Sequence, residues 1–418
     1  MISGTSTRIV VTGVGTINPL GGDVTETWRN LLAGRSGIGP IRRFDAAASG
    51  LKTHIAGEVS DFVGPGFDVG QAVDRLDRCS QFAVVAAREA LLGARLAPEP
   101  AERAGLAVVL GSAFGGVGTL DAAGSVLRAQ GSRRVSPLMF PKSMGNAAAA
   151  AISLYCGARG PALAINSACA SAADAIGLAA DLIRAGRARM ALAGGSEAAI
   201  LPLMLAALER MGAVTSRYNA HPTLASRPFE RDRDGFVIAE GAAMLVLERA
   251  DDALRRGAPL LAELAGYGST SDAHHLTAPA PDGRGALGAM HLALADAGEL
   301  PDAIRHINAH GTSTRLNDAI EAQAIRTLLG VRAQHVPVTA TKSASGHMGG
   351  ATGALEALLC VQSCRTGLAP PTLNYDVADP ECALDIVSGA PRRLEPGLVL
   401  SNAFGFGGHC ACLAFRPL

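Results

Sequence analysis

Four short apolar runs that end in Gly, Ser or Cys occur in the first part of the chain, and a matching series of four returns in the second part. The first series covers residues 8–15, 105–112, 162–169 and 189–195, and the second covers residues 261–268, 305–311, 336–342 and 397–404. Short runs that are apolar on both faces are typical of strands buried inside a sheet. The return of the same four-part series predicts an internally duplicated chain.

Alanine-rich segments with helical periodicity lie between these strands, at residues 77–92, 170–185, 318–329 and 350–364. The alternation of strands and helices predicts an α/β fold with mostly parallel sheets covered by helices. We expect two stacked halves, residues 1–255 and 256–418. The Arg-, Pro- and Asp-rich stretch 210–235 is expected to be a loop or cap inserted before the final strands of the first half.

Composition places few limits on function but excludes some partners. The 37 Lys and Arg residues balance 37 Asp and Glu residues, so the net charge gives no reason to expect nucleic acid or an anionic membrane as a partner. The polar residues 1–8 lack the basic start and apolar stretch of a secretory signal. No apolar run reaches the ~20 residues needed to span a bilayer. We therefore expect a cytoplasmic protein.

Cysteine and lysine usage narrows the candidate chemistry. The eight cysteines show no paired CxxC spacing, which argues against structural zinc and against a disulfide scaffold. The chain has three lysines, Lys52, Lys142 and Lys342, and otherwise uses arginine for positive charge. A lysine at a chosen position supplies a compact ammonium in place of a bulky guanidinium. Lys342, which lies in the same segment as His347, is the candidate for such a role, and chance placement is the alternative.

Cys169 follows a buried strand and precedes a predicted helix, in the segment Ser-Ala-Cys-Ala-Ser. The start of a helix offers unpaired N–H groups and a positive dipole end, which favour a thiolate with a lowered pKa and stabilise an oxyanion. A packed small residue is the alternative. The local sequence by itself leaves a nucleophile and a packed residue equally open.

Two histidines strengthen the case for a nucleophile. His310 leaves one strand of the second half, and His347 lies in the segment that duplicates the surroundings of Cys169. Ligands in parallel α/β folds collect beyond the carboxyl ends of strands, where both histidines are expected. The alternative for each histidine is a buried structural role without part in catalysis.

Competing motifs do not match this sequence. Residues 13–18 lack the third glycine of a dinucleotide loop, and neither a P-loop nor a Gly-x-Ser-x-Gly elbow occurs. The pair His274 and His275 has no carboxylate or cysteine at the spacing of a metal site. The sequence therefore predicts neither a metal nor a bound cofactor.

Four motifs in order make the chain resemble the β-ketoacyl-acyl-carrier-protein synthases of the thiolase superfamily, above all the elongating type II enzymes. They are Ser-Ala-Cys-Ala-Ser at Cys169, Asn-Ala-His-Gly-Thr-Ser-Thr at His310, Lys-Ser-x-x-Gly-His at Lys342 and His347, and Ser-Asn-Ala-Phe-Gly-Phe-Gly-Gly at residues 401–408. The resemblance covers essentially the whole chain. It implies a thiolase-like fold with stacked α-β-α-β-α layers.

The resemblance also implies a reaction in two stages. An acyl-carrier protein delivers an acyl thioester to Cys169 through its phosphopantetheine arm, so no resident cofactor is needed. His310 and His347, as neutral donors, then stabilise the enolate formed when malonyl-carrier protein loses carbon dioxide, and the carbanion attacks the acyl-cysteine. Lys342 organises the histidines.

Further roles follow from the same resemblance. The N–H groups of Cys169 and Phe406 form the oxyanion hole, and Phe406 also gates the acyl pocket. Glu356 is a buried polar support. The implied substrate-binding residues are Phe114, Thr277, Thr312, Thr314 and Phe404, and the carrier-docking residues are Arg75 and Arg78. The implied assembly is a homodimer, or a heterodimer with a chain-length partner subunit.

Three positions depart from the family pattern. Arg315 stands where Pro is common, and His409 stands where Thr is frequent. Phe114 occupies a position that is often Ile and that lines the acyl tunnel. We expect its larger ring to shorten or redirect the tunnel, because a packed pocket absorbs added volume at a cost.

Alternative functions remain at this stage. A thiolase shares the duplicated architecture and a Gly-His motif like that of His347, but it would have a catalytic cysteine near the C-terminal glycines, where only Cys410 is close. A catalytically silent partner subunit would lack the nucleophile that Cys169 supplies. Within the ketosynthases, fatty-acid elongation is the main interpretation, and a type II polyketide or polyene pathway is the alternative.

Overall fold

The computed structural model describes residues 7–60, 62, 75–96 and 105–418. Part of the polar start of the chain, residues 1–6, therefore lies outside the described residues. The strands are β1 (Ile9–Ile17), β2 (Gly39–Pro40), β3 (Ile55–Ala56), β4 (Leu106–Gly111), β5 (Ala162–Ile165), β6 (Met190–Glu197), β7 (Gly241–Arg249), β8 (Ala262–Ser271), β9 (Ile304–Asn308), β10 (Val338–Thr339), β11 (Leu368–Ala369), β12 (Arg392–Arg393), β13 (Leu398–Gly405) and β14 (His409–Arg416). The helices are α1 (Val24–Leu32), α2 (Arg78–Gly93), α3 (Val117–Gln130), α4 (Met139–Ser143), α5 (Ala147–Cys156), α6 (Ser171–Arg184), α7 (Pro202–Arg210), α8 (Ala250–Arg255), α9 (Arg284–Asp296), α10 (Arg315–Leu329), α11 (Lys342–Ser345) and α12 (Thr352–Thr366).

The main sheet repeats one strand order in each half of the chain. Its order is β10-β9-β13-β14-β8-β1-β7-β6-β4-β5, so that each half places its first strand at the centre and runs outwards in the same sequence. β1 and β8 meet antiparallel at residues 9–11 and 262–264. This arrangement matches the duplication seen in the apolar pattern.

Strand direction differs from the prediction of mostly parallel sheets. β4 runs parallel to β5 and β6, and β9 runs parallel to β10 and β13. The ladders that include β7 or β14 are antiparallel. The four-part series omitted these two strands, and β14 must be antiparallel to β13 because a short hairpin turn joins them.

The helices form three layers around the two halves of the sheet. α2 and α5 cover the first half from outside, α9 and α10 cover the second half from outside, and α6 and α12 lie between them. The predicted α-β-α-β-α stacking is confirmed. α6 and α12 each begin beside the candidate chemistry, α6 directly after Cys169 and α12 shortly after His347.

The stretch 210–235 connects α7 to β7, as expected of an insertion before the final strand of the first half. It contains Arg233, whose guanidinium is 1% exposed and pairs with Asp318 at 3.4 Å and Asp379 at 2.5 Å. The pair with Asp318 fastens the insertion to the start of α10, beside the candidate site, and the pair with Asp379 fastens it to the segment before residue 380. In the described part of the chain, no helix has the length and apolar character needed to cross a membrane.

Candidate active site

Cys169 lies in a single 3-10 turn, Ala168–Ala170, between β5 and α6. Ala168 has a left-handed backbone, with φ of +52°, which costs a non-glycine residue about 1–3 kcal/mol. The Ser167 N–H donates to Ser171 Oγ at 2.9 Å, and Ser171 Oγ donates to the Ala168 carbonyl at 2.6 Å. These bonds hold the thiol on a sharp elbow at the start of a helix.

Burial dominates the electrostatics of this thiol and raises the pKa of Cys169 to about 11. The positive charge of Lys342 and the backbone N–H groups of Phe406 and Cys169 act in the opposite direction, whereas the carboxylate of Glu197 adds to the increase. The expected lowering of the pKa is therefore wrong in its net direction, because removal from water outweighs the helix terminus. The thiol is protonated at neutral pH.

His310 and His347 lie side by side at the carboxyl ends of the second half's strands. Their ring centroids are 5.6 Å apart and the ring planes are nearly perpendicular, at 85°. Each side chain is 3% exposed. Burial, assisted by the charge of Lys342, holds the pKa of both imidazoles well below the usual range. Both rings are therefore neutral at physiological pH.

Lys342 determines which nitrogen of His310 carries the proton. Its Nζ lies 3.2 Å from His310 Nδ1 and 2.6 Å from Glu356 Oε1, and it also donates to the His310 carbonyl. An ammonium has three donors and no acceptor, so the Nδ1 atom must accept. The proton of His310 then resides on Nε2. His347 Nδ1 lies 2.9 Å from Thr352 Oγ1, a contact that permits the same tautomer.

Glu321, a residue that the sequence reasoning missed, supports His310 from behind. Its carboxylate accepts the backbone N–H groups of His310 and Gly311, each at 2.8 Å, and the Asn402 side chain at 3.1 Å. Burial raises the pKa of Glu321, and these donors act against that increase. The available signal was a pair of carboxylates near the start of the helix that follows the His310 motif, Asp318 in its first turn and Glu321 in its second.

A cavity of about 530 Å³ brings Cys169, His310 and His347 together. Lys342 and Glu356 do not line it but lie directly behind the histidines. Four of the predicted substrate-binding residues, the gate residue and one departure from the family pattern also line it: Thr277, Thr312, Thr314, Phe404, Phe406 and Arg315. The insertion contributes Met211, Gly212, Ala213 and Asp234, so it forms part of one wall of the site.

Phe406 stands at the tip of the hairpin that joins β13 to β14. The hairpin pairs Gly405 with His409, and the turn glycines Gly407 and Gly408 have φ of +84° and +80°. A Cβ on Gly408 would lie 2.1 Å from Asp272 Oδ1, so this position requires glycine. The ring of Phe406, 39% exposed, thus sits on a turn of fixed shape at the cavity wall.

Three predicted residues lie away from this cavity. Phe114 does not line it and is 48% exposed in the single chain. Arg75 is exposed, as a docking residue must be. Arg78 instead pairs with Glu240 at 2.7 Å and lies over the Phe82 ring at 4.6 Å. Its charge is engaged within the chain, and the predicted roles of all three remain predictions.

No metal cluster accompanies the site in the part of the chain that the structure describes, where no group of three His, Cys, Asp or Glu side chains is placed to hold an ion. Cys410 lines the same cavity, and its Sγ contacts the Gly408 carbonyl at 3.7 Å. Burial raises the pKa of Cys410 to about 12. Two thiols therefore face the cavity, and only Cys169 lies on a helix-starting elbow.

Comparison with protein families gives two adjoining matches. Residues 6–253 match the family model "Beta-ketoacyl synthase, N-terminal domain", and residues 261–376 match "Beta-ketoacyl synthase, C-terminal domain". A 3-oxoacyl-[acyl-carrier-protein] synthase 2 from Synechocystis sp. is 43% identical over 409 residues, which are 98% of either chain. The protein of the same name from Staphylococcus aureus (strain COL) is 41% identical over 410 residues, again 98% of each.

Solved structures with this fold include a β-ketoacyl synthase and a ketosynthase of a type II polyketide system. A β-ketoacyl synthase from Burkholderia phymatum STM815 superposes with a TM-score of 0.91 at 35% identity, covering 99% of this chain and 100% of that one. A chain of a complex described as a type II polyketide acyl-carrier protein with its ketosynthase bound to the hexaketide also gives a TM-score of 0.91, at 32% identity and with the same coverage. The neighbours thus include a ketosynthase engaged with its carrier protein.

Proposed function

The chain belongs to the β-ketoacyl synthase family of acyltransferases, and on this basis we propose that it elongates acyl groups held on an acyl-carrier protein. The thiol of Cys169 attacks the acyl thioester, and its proton passes to the phosphopantetheine thiol that leaves. Malonyl-carrier protein then binds and loses carbon dioxide. The resulting carbanion attacks the acyl-cysteine, the new carbon–carbon bond forms, and the Cys169 thiolate leaves and takes up a proton.

The observation that carries this proposal is the pair of neutral imidazoles in the cavity of Cys169. A neutral His310 whose Nδ1 accepts from Lys342 presents an Nε2–H donor. With a matching donor from His347, the two rings can bind the malonyl thioester oxygen, where negative charge develops as carbon dioxide leaves. Donors fixed in advance in a site with little water stabilise such charge strongly.

The acyl-transfer stage has its own donors. The N–H groups of Cys169 and Phe406 both act on the Cys169 sulfur, as expected of two groups that face one point. We assign them to the oxyanion hole for the tetrahedral intermediates. Thr312 and Thr314, whose hydroxyls lie 2.9 Å apart on the cavity wall, are assigned to the pantetheine arm. The arm arrives on the carrier protein, so the proposal needs no resident cofactor.

The proposed assembly is a dimer through the exposed edge of the sheet. β5 ends the ten-stranded sheet, and Ala162, Leu163 and Ala164 on it are exposed. α3 has no buried residue, and two of its leucines, Leu120 and Leu127, are 54% and 50% exposed. Such apolar surface is characteristic of an interface. A second copy is the proposed partner, and Phe114, which lies just before α3, would then approach that interface.

Fatty-acid elongation is the proposed pathway, because the relatives at 41–43% identity are named 3-oxoacyl-[acyl-carrier-protein] synthase 2. A polyketide or polyene pathway is the second candidate, favoured by likeness to a chain of "The ishigamide ketosynthase/chain length factor" at 33% identity and a TM-score of 0.90. In that case a chain-length subunit would replace the second copy. The eight cysteines are free thiols, which suits the reducing cytoplasm that we propose as the location.

Carrier proteins loaded with saturated acyl chains of graded length, or with polyketide-type acyl groups, test this proposal when mixed with malonyl-carrier protein. Mass spectrometry should show products two carbons longer from the saturated chains. Preferential extension of the polyketide-type groups would favour the second pathway, and no extension of either would refute the function. The predicted role of Phe114 in the acyl tunnel, which the cavity of the single chain does not reach, has its own test. Phe114→Ile should lengthen the accepted chain, and unchanged product length would exclude that role.

A further inference from the structure

Asp174 is a buried carboxylate close to Cys169 that the reaction described above does not use. It lies in the first turn of α6 and is 6% exposed. Its two oxygens accept from two hydroxyls, Oδ2 from Ser167 Oγ and Oδ1 from Tyr267 OH at 2.7 Å. A buried carboxylate is costly unless such donors compensate it, so this network calls for an explanation.

The Ser167 bond fixes the elbow on its strand side. Ser167 stands two residues before the nucleophile and directly before Ala168, whose left-handed backbone persists only if the surroundings enforce it. Its carbonyl also accepts the Ala170 N–H at 3.1 Å. With its side chain on Asp174, Ser167 is held at its hydroxyl, its N–H and its carbonyl, so it has no freedom to let the elbow relax.

The Tyr267 bond connects the same carboxylate to the second half of the chain. Tyr267 belongs to β8, and its ring lies so close to α6 that a Cβ on Gly177 would be 2.3 Å from it. Its N–H donates to Asp296 at 3.0 Å. The phenol is therefore held by packing and by the backbone, and it offers Asp174 a fixed donor from the half that carries His310 and His347.

We propose that Asp174 is a positioning residue that locks the Cys169 elbow against the second half of the molecule. It holds Ser167, and through Ser167 the left-handed Ala168, so that the Cys169 thiol and N–H keep their orientation towards the histidines. The inference rests on the proposed role of Cys169 and deepens it. It assigns Asp174 no contact with substrate.

The test removes the hydrogen bond between Ser167 and Asp174 and compares the effect with the loss of a similar buried hydrogen bond elsewhere in the chain. Ser167→Ala deletes the hydroxyl, Ser167→Thr retains one, and Asp174→Asn removes the charge. Thr12→Val is the control, because Thr12 Oγ1 also donates to a buried carboxylate, Glu248 at 2.5 Å, on a strand that does not line the cavity. Single-turnover acylation of Cys169 from acyl-carrier protein, the KM for that carrier, and the melting temperature are measured for each.

We expect Ser167→Ala and Asp174→Asn to slow acylation about tenfold with an unchanged KM. A displacement of about 1 Å costs roughly 10²-fold, and loss of one hydrogen bond should move the thiol by less than that. Ser167→Thr should stay within twofold of the native rate. Thr12→Val should lower the melting temperature without slowing acylation. The double variant Ser167→Ala with Asp174→Asn should be no slower than Ser167→Ala alone, because both changes break the same Ser167–Asp174 hydrogen bond.

Acylation of Ser167→Ala at the native rate would overturn the inference, as would equal slowing in Thr12→Val. The proposed function would survive either result as long as the native protein forms acyl-Cys169. A native protein that forms no acyl-Cys169 would overturn the proposed function and the inference together.

Discussion

Replacing Lys342 by methionine should separate its effect on stability from its effect on catalysis. The ammonium and Glu356 are each 1% exposed and 2.6 Å apart. Glu356 Oε2 already has no hydrogen-bond partner, so Lys342→Met leaves the whole carboxylate unpaired. Loss of one member of a buried ion pair costs about 3–5 kcal/mol. We therefore expect a large fall in melting temperature, measured by calorimetry.

The same variant should lose catalysis for a different reason. Without Lys342, His310 Nδ1 has no donor at 3.2 Å, and the tautomer that presents Nε2–H is no longer enforced. Loss of one donor to a developing oxyanion lowers rates by about 10²–10³. Release of labelled carbon dioxide from malonyl-carrier protein should fall by about 10²-fold.

The double variant Lys342→Met with Glu356→Leu distinguishes the two effects. An apolar pair in place of a buried ion pair is often neutral or stabilising, so the melting temperature should recover most of its loss. Decarboxylation should not recover, because the donor to His310 is still missing. Recovery of decarboxylation to within threefold of the native rate would refute the tautomer argument and leave Lys342 a purely structural role.

Three further predictions follow from the site and its surroundings. Because burial raises the pKa of Cys169 to about 11, the rate of its alkylation by iodoacetamide should rise about tenfold per pH unit from pH 7 to 10, with Cys169→Ala as the blank; a plateau near pH 8 would contradict this. Burial lowers the pKa of His306 to about 3, so as pH falls the unfolded chain takes up a proton at this histidine before the folded chain does. The stability due to a neutral His306 is therefore lost as pH falls below about 6.5. The destabilisation caused by His306→Gln should shrink by about 1.4 kcal/mol per pH unit between pH 6 and 4, and a constant difference would exclude this linkage. Gly408→Ala forces a Cβ onto Asp272, so melting temperature and condensation rate should both fall, and adding Asp272→Ala should restore part of the melting temperature; a stable, active Gly408→Ala would disprove the tight fit.

The sequence predicted the elements of this fold better than their directions. The helical period at residues 77–92 corresponds to α2, and the periods at 170–185 and 350–364 correspond to α6 and α12 within two residues. β7 and β14, which form the antiparallel ladders, were missed as members of the repeat. An apolar run also does not reveal whether its neighbours lie parallel or antiparallel. Direction depends on connections, such as the hairpin at Gly407, that complete the sheet.

The residues of the site were accessible from short motifs, and the family resemblance added the support Glu356, whereas Glu321 and Asp174 were not found. Cys169, His310, Lys342 and His347 stand in recognisable segments, and the structure brings these four side chains together. Glu321 and Asp174 lie within helical periods that looked ordinary. Burial of a carboxylate depends on distant parts of the chain, so a local pattern carries little sign of it.

The pKa of Cys169 shows the same limit. A helix start lowers the pKa of a thiol, and that local rule gave the expectation of an easily formed thiolate. The surrounding elements remove the sulfur from water and reverse the net direction. Only the packed molecule shows which effect is larger.

The central claim is that Cys169 carries the acyl group between the two stages. Intact-protein and peptide mass spectrometry after mixing with acyl-carrier protein alone tests it most directly. We predict one acyl group per chain, on the peptide that contains Cys169, and its disappearance with a longer β-ketoacyl product once malonyl-carrier protein is added. An acyl group on Cys410, or extension by Cys169→Ala at the native rate, would contradict the account.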